Sequence, residues 1–167
     1  MMRRRSPGFT LIEAVVTVAL LALLASLTLP SFGSQLGRHR LRAAAETLAQ
    51  DLTEARFQAA QTGSTLYVTL QPGPQWCYAV TRTSGCDCRS AQPCQIKVAR
   101  AEDTPGVSLV DGAEIRFDPA SDAGPVQAGA PSAELTNRAG ERLRVGLRPL
   151  GRVGVCAPGG MPGYPGC

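Results

Sequence analysis

An apolar run over residues 9–29 constrains this chain more than any other stretch. Three arginines and a Ser-Pro-Gly break precede it, and its one charge is Glu13. As a helix rising about 1.5 Å per residue it is about 31 Å long, close to one bilayer core. A secretory signal peptide has a shorter apolar core and a small-residue cut beyond it. Cuts of that kind within this run leave no sensible mature start. Arg3, Arg4 and Arg5 are expected to stay in the cytoplasm, so the rest of the chain is exported.

The run opens with Gly8-Phe9-Thr10-Leu11-Ile12-Glu13. This hexapeptide resembles the prepilin signal of type IV pilins and type II secretion pseudopilins. The resemblance implies that a prepilin peptidase cuts between Gly8 and Phe9, that Phe9 is then N-methylated, and that the apolar helix is kept. Pro30 falls where the helix of that family usually bends. A carboxylate inside a membrane helix is costly, so Glu13 requires a partner. The resemblance supplies one, the free Phe9 amine of a neighbouring subunit.

Of 167 residues, about 159 remain after a cut at Gly8, enough for one helix and one domain of roughly 100 residues. Without the three leader arginines, 14 basic residues face 13 acidic ones, so bulk charge gives no argument for nucleic acid. The 18 glycines and 13 prolines predict short strands and many turns. Six cysteines, at positions 77, 86, 88, 94, 156 and 167, all lie beyond the apolar run. An even number in an oxidising compartment predicts disulfides.

Pro30 is expected to kink or loosen the helix, with Gly33 and Gly37 adding to the weakness. Over residues 38–61 Leu41, Leu48, Leu52, Ala55 and Ala59 recur at helical spacing. Arg42 and Glu46 form an i,i+4 pair on the wet side, and Gly63 stops the helix. Strands are expected at 65–70, 76–82, 95–100, 107–110 and 115–117, the first two as a hairpin. Asp111-Gly112 reads as the turn between the last two. Residues 118–131 form a long Gly/Pro/Ala-rich loop. In the final hairpin Arg142, Arg144 and Arg148 share one parity, with Leu143, Val145 and Leu147 on the other, so basic residues face out and apolar ones in. Arg148-Pro149-Leu150-Gly151 fits a type I turn, and Val153 and Val155 continue the apolar face.

The ending Gly151-Arg152-Val153-Gly154-Val155-Cys156, closed by Cys167, resembles the GspH/FimT group of minor pilins and pseudopilins, and the FimT and FimU side of it more closely. Cys156 is expected to bridge Cys167 across a Gly/Pro-rich segment that loops back easily. Cys77, Cys86, Cys88 and Cys94 are expected in disulfides whose pairing the sequence leaves open. Cys86 and Cys88 are too close to bridge each other. Some members of the group bind DNA through a Gly-Arg-x-Arg motif in the last hairpin; here residue 154 is glycine and the second arginine is missing. Separately, Arg138, Arg142, Arg144, Arg148 and Arg152 fall within fifteen residues opposed only by Glu141. Such a cluster is a candidate DNA contact through phosphates, without base reading or aromatic stacking.

The Cys86-x-Cys88 spacing is not a usual zinc pairing, so no metal is expected. His39, the one histidine, stands between Arg38 and Arg40 as a solvent-facing helix residue, and Gly159-Gly160 follows a strand rather than preceding a helix. No catalytic site and no cofactor are expected.

The fold class is α+β and type IV pilin-like, a long N-terminal helix packed on a C-terminal antiparallel β-sheet domain. Its parts are a leader (1–8), a transmembrane or filament-core helix (9–29), an amphipathic second half of the helix (30–61) and a periplasmic β-rich domain (62–167). The function implied is a minor pilin of a type IV pilus or its tip complex. The alternatives are a minor pseudopilin of type II secretion and a DNA-binding pilin in transformation. Expected partners are other major and minor pilins or pseudopilins, the prepilin peptidase, the bacterial inner membrane and, in the last alternative, DNA.

Overall fold

The computed structural model describes residues 9–119, 132–148 and 151–167; for residues 27–32 the description is of the helical backbone alone. The chain divides into two compact units, Met1–Leu36 and Gly37–Cys167. One helix, α1 (Leu11–Thr62), contributes to both.

In the first unit Thr10 starts the helix. Its hydroxyl accepts the Glu13 amide at 3.3 Å, satisfying one donor that helix starts leave open, and its carbonyl takes the Ala14 amide at 3.1 Å as the first bond of the helix. The Thr17 and Ser26 hydroxyls bond back to the carbonyls of Ala14 and Leu23, so neither presents an unpaired polar group along the apolar stretch. Among the described residues no helix is long and apolar enough to cross a membrane; the described side chains of this run stop at Ser26, short of its end at Leu29.

Among the described residues the second unit sets the rest of α1 against eight strands in two antiparallel sheets. The strands are β1 (Leu66–Gln71), β2 (Cys77–Thr81), β3 (Gln95–Arg100), β4 (Val107–Gly112), β5 (Ile115–Phe117), β6 (Ser132–Asn137), β7 (Arg142–Leu147) and β8 (Val153–Cys156). Among the described residues the sheet orders are β3-β2-β1-β5 and β4-β6-β7-β8. Leu41, Leu48, Leu52, Ala55 and Ala59 turn one stripe of α1 into a core. They meet Val68 and Ile115 of the first sheet and Leu109, Leu135, Leu143 and Val145 of the second. Residues at i, i+3, i+4 and i+7 share a helix face, and burying that face is what holds the element in place. Gly63, at φ +62°, ends α1, and the Ser64 amide reaches back to the Ala59 carbonyl.

Two local expectations need correction. Asp111 and Gly112 are not a turn: both lie in β4, which pairs with β6 while β5 pairs with β1. Gly112 is small for a different reason. A β-carbon there would lie 3.0 Å from the Leu70 β-carbon, where β4 passes close to β1. Arg42 and Glu46 do not pair with each other either. Arg42 lies 5.9 Å from the Tyr164 ring centroid and donates to the Pro162 carbonyl at 2.7 Å, while Glu46 accepts the Tyr164 hydroxyl. Both hold the C-terminal segment instead.

β6 answers to no predicted strand. Its inward residues are Ala133, Leu135 and Asn137, and only Leu135 is large and apolar, so the period of two is weak in the sequence. Of the long loop 118–131, residues 120–131 lie outside the described residues.

Candidate functional site

Three surfaces carry the residues singled out by the sequence. The first is the N-terminal stretch. Gly8 lies outside the described residues. Phe9 is 72% exposed, and Leu11, Ile12, Val15, Val16, Val18, Leu20, Leu21, Leu23 and Leu24 are all exposed as well. These positions circle the helix. A helix apolar on every side belongs in a bilayer or among other apolar helices, since in water the exposed area is costly. Glu13 sits in the first turn, where a carboxylate also favours the helix dipole.

The second is the cysteine framework. Bridges join Cys77 to Cys88, Cys86 to Cys94 and Cys156 to Cys167, leaving no cysteine free to ligate a metal. The first two hold a polar loop over the outer face of β2. On that strand Tyr78 and Val80 face the main core, while Cys77 and Ala79 form a small second cluster with Cys88. This is why β2 is buried along its whole length. Glu114 ties the same loop to the sheet, accepting from Thr69 at 3.0 Å, from Ser84, and from the Gly85 amide at 2.8 Å. Burial pushes its carboxyl up, but the three donors outweigh burial and hold it below the usual range.

The third is the arginine face. Arg142 and Arg144 point outward from β7, with Leu143 and Val145 buried between them. The structure brings in an acid that sequence proximity does not show. Glu134, opposite on β6, accepts from Arg142 at 3.3 Å and from Arg144 at 2.8 Å. Glu141, the acid within the cluster, instead takes Arg38 of α1 and the Asn137 side chain. Arg38 is the main cause of its lowered carboxyl pKa. Arg138 and Arg152 are exposed, and Arg148 lies back on β8. The expectation that Glu141 alone opposes the cluster is therefore corrected: strand pairing places Glu134 between two of the five arginines. His39 is exposed, as a helix residue facing solvent would be.

Sequence reasoning passed over a buried polar group that positions α1 on the first sheet. Asp51 accepts the Tyr78 hydroxyl at 2.8 Å and pairs with Lys97. An aspartate one turn after Leu48 and next to Leu52 on the apolar stripe was the available signal, because a carboxylate is buried there only with partners.

Residues 44–151 match the family model described as type II transport protein GspH, and residues 3–29 match the prokaryotic N-terminal methylation motif. The chain belongs to the GspH family of minor pilins and pseudopilins. Comparison with curated proteins and with solved structures gave no match. The GspH match covers α1 from Ala44 and strands β1 to β7, so most of the two-sheet core is the family's part. The methylation motif covers the apolar stretch whose described side chains up to Leu24 stand exposed around the helix in this GspH-family chain.

Proposed function

We propose that this protein is a minor pilin, an exported non-catalytic subunit that enters a type IV pilus or its tip complex. The observation that carries the reading is the N-terminal helix, whose described apolar residues from Phe9 to Leu24 are exposed around its circumference. Such a surface is stable first in the inner membrane and then among the helices of other pilins. In this reading the prepilin peptidase cuts between Gly8 and Phe9, Phe9 is methylated, and Glu13 meets the Phe9 amine of a neighbour. The domain from Gly37 onward lies in the periplasm and presents its sheets and its disulfide-held loop to partner subunits. The resemblance of the last hairpin to FimT and FimU supports a pilus. Probing sheared pili for the protein tests this, since a subunit of the pilus travels with the filament.

The second reading is a minor pseudopilin of type II secretion, favoured by the match to the type II transport protein GspH family. Loss of the gene would then block secretion of folded exoproteins and leave surface pili intact, the reverse of what the pilus reading expects.

A further inference from the structure

Among the described residues β8 is the last strand of its sheet, and none of them forms a strand along its outer side. The hydrogen-bond pattern says which groups face that open side. The Arg148 amide donates to the Arg152 carbonyl, and the register continues as Leu147↔Val153, Gly146↔Gly154, Val145↔Val155 and Arg144↔Cys156. In an antiparallel pair, hydrogen-bonded and non-bonded positions alternate. With 148 and 152 bonded, 154 and 156 face β7, while the amides and carbonyls of Val153 and Val155 face outward.

Such an edge is a template for another strand unless something blocks it. Two features meet it here. Beyond Cys156 the next outward amide, that of Ala157, donates to the Pro165 carbonyl at 2.9 Å, and Ala157 bridges Gly166. The Cys156–Cys167 disulfide closes this loop, so the edge is sealed from residue 157 onward. Before that point, among the described residues, one side chain bonds to the outward groups. Arg148 runs across the sheet face, passes over Gly154 and donates from Nη2 to the outward Val155 carbonyl at 3.3 Å. Gly154 makes the path possible, because a β-carbon there would collide with Arg148 Nε and Cδ. A groove of about 410 Å³ opens beside Val153, lined also by Glu46, Ala49, Gln50, Thr53 and Glu54 of α1.

We propose that the outer edge of β8 is a latent strand-pairing surface for a second copy of this chain, and that Arg148, folded over Gly154, is the guard that keeps it closed. The partner follows from the reach of the edge. Among the described residues only Val153 to Val155 is open, and the same three residues of a second copy, run antiparallel, are self-complementary. Val153 of one copy faces Val155 of the other, with Gly154 opposite Gly154 and no side chain to clash at the centre. Arg148 is thereby assigned to edge protection rather than to the outward arginine face.

The test uses the mature full-length chain in detergent micelles and reads amide exchange residue by residue at rising protein concentration. Arg148→Ala removes the guard. Gly154→Ala evicts it by filling its path, without touching its charge. In the wild type the Val153 and Val155 amides should exchange fast at every concentration. In both variants they should become protected by about ten-fold or more as concentration rises, with a cross-linkable dimer appearing in parallel. Arg144→Ala, whose guanidinium goes to Glu134, should behave as the wild type. Protection of Leu143 and Val145 shows that the hairpin is folded, and either variant carries the test if the other does not fold. Val153 and Val155 amides exchanging as in the wild type at the highest concentration, in a folded variant, would overturn the proposal.

Discussion

The Tyr78 hydroxyl of β2 donates to the Asp51 carboxylate of α1 at 2.8 Å inside the core, and Lys97 of β3 closes on the same carboxylate. Burial, followed by the Asp51 charge, pushes the Tyr78 phenol far above its ordinary range, so it remains a donor at every working pH. Tyr78→Phe leaves Asp51 buried with one partner fewer and should cost about 1–3 kcal/mol. Tyr67→Phe, on a half-buried neighbour with no such bond, should stay within about 0.5 kcal/mol of wild type. Urea unfolding of the two variants side by side checks the difference.

The pH dependence of stability should carry the mark of Glu114 and Glu141. Both carboxyls are held below their usual range in the fold, Glu141 chiefly by the Arg38 hydrogen bond and Glu114 by Gly85, Ser84 and Thr69 against burial. A depressed folded pKa contributes stability above the unfolded value and loses it as pH falls through the folded one. The wild type should therefore weaken from about pH 4 downward. Glu114→Gln should cost about 1 kcal/mol at neutral pH and flatten that acid limb. Denaturation midpoints taken between pH 7 and pH 2 check both the direction and the flattening.

Removing the terminal bridge should loosen the end of the chain more than the core. Cys156 and Cys167 are 11 residues apart, and closing such a loop is worth on the order of 3 kcal/mol in the chain-entropy account. The double substitution Cys156→Ser with Cys167→Ser should lower stability by about that amount. It should also free Tyr164 from Arg42 and Glu46. Thermal melting gives the first effect, and the Tyr164 ring resonances give the second.

Charge on the arginine face is set by Glu134. If this face contacts duplex DNA it does so through phosphates, so affinity should fall steeply with salt and ignore sequence. Glu134→Gln releases Arg142 and Arg144 and should strengthen low-salt binding, while Arg142→Ala should weaken it and reduce the salt slope by about one. Gly154→Arg adds a charge to the same face but must first displace Arg148. Titration with one duplex at low and moderate salt measures all four proteins. Absence of binding at low salt in every one would leave the face to neighbouring subunits.

Much of the fold was legible because the periodic signals are strong where the core is. The α1 stripe from Leu41 to Ala59, the alternation of β7 and the stop at Gly63 each state their geometry locally. What stayed hidden depends on partners distant in the chain. β6 buries Ala133 and Asn137 with only one large apolar residue, so its alternation hardly registers. The separation of β4 from β5 into different sheets depends on pairing with β6 and β1, strands distant in the chain. Glu134 between Arg142 and Arg144 follows from strand register, and the path of Arg148 follows from the missing side chain at 154. Cysteine pairing in the loop after β2 was open because four thiols within 18 residues allow more than one connection.

The central claim is that the apolar helix starts at a processed Phe9 and is buried among the helices of a filament. Mass spectrometry of the N-terminus of the protein recovered from sheared filaments tests both parts at once. The account predicts a chain beginning at N-methylated Phe9. A chain beginning at Met1 or after Ala25, or no protein in filaments that assemble normally, would contradict it.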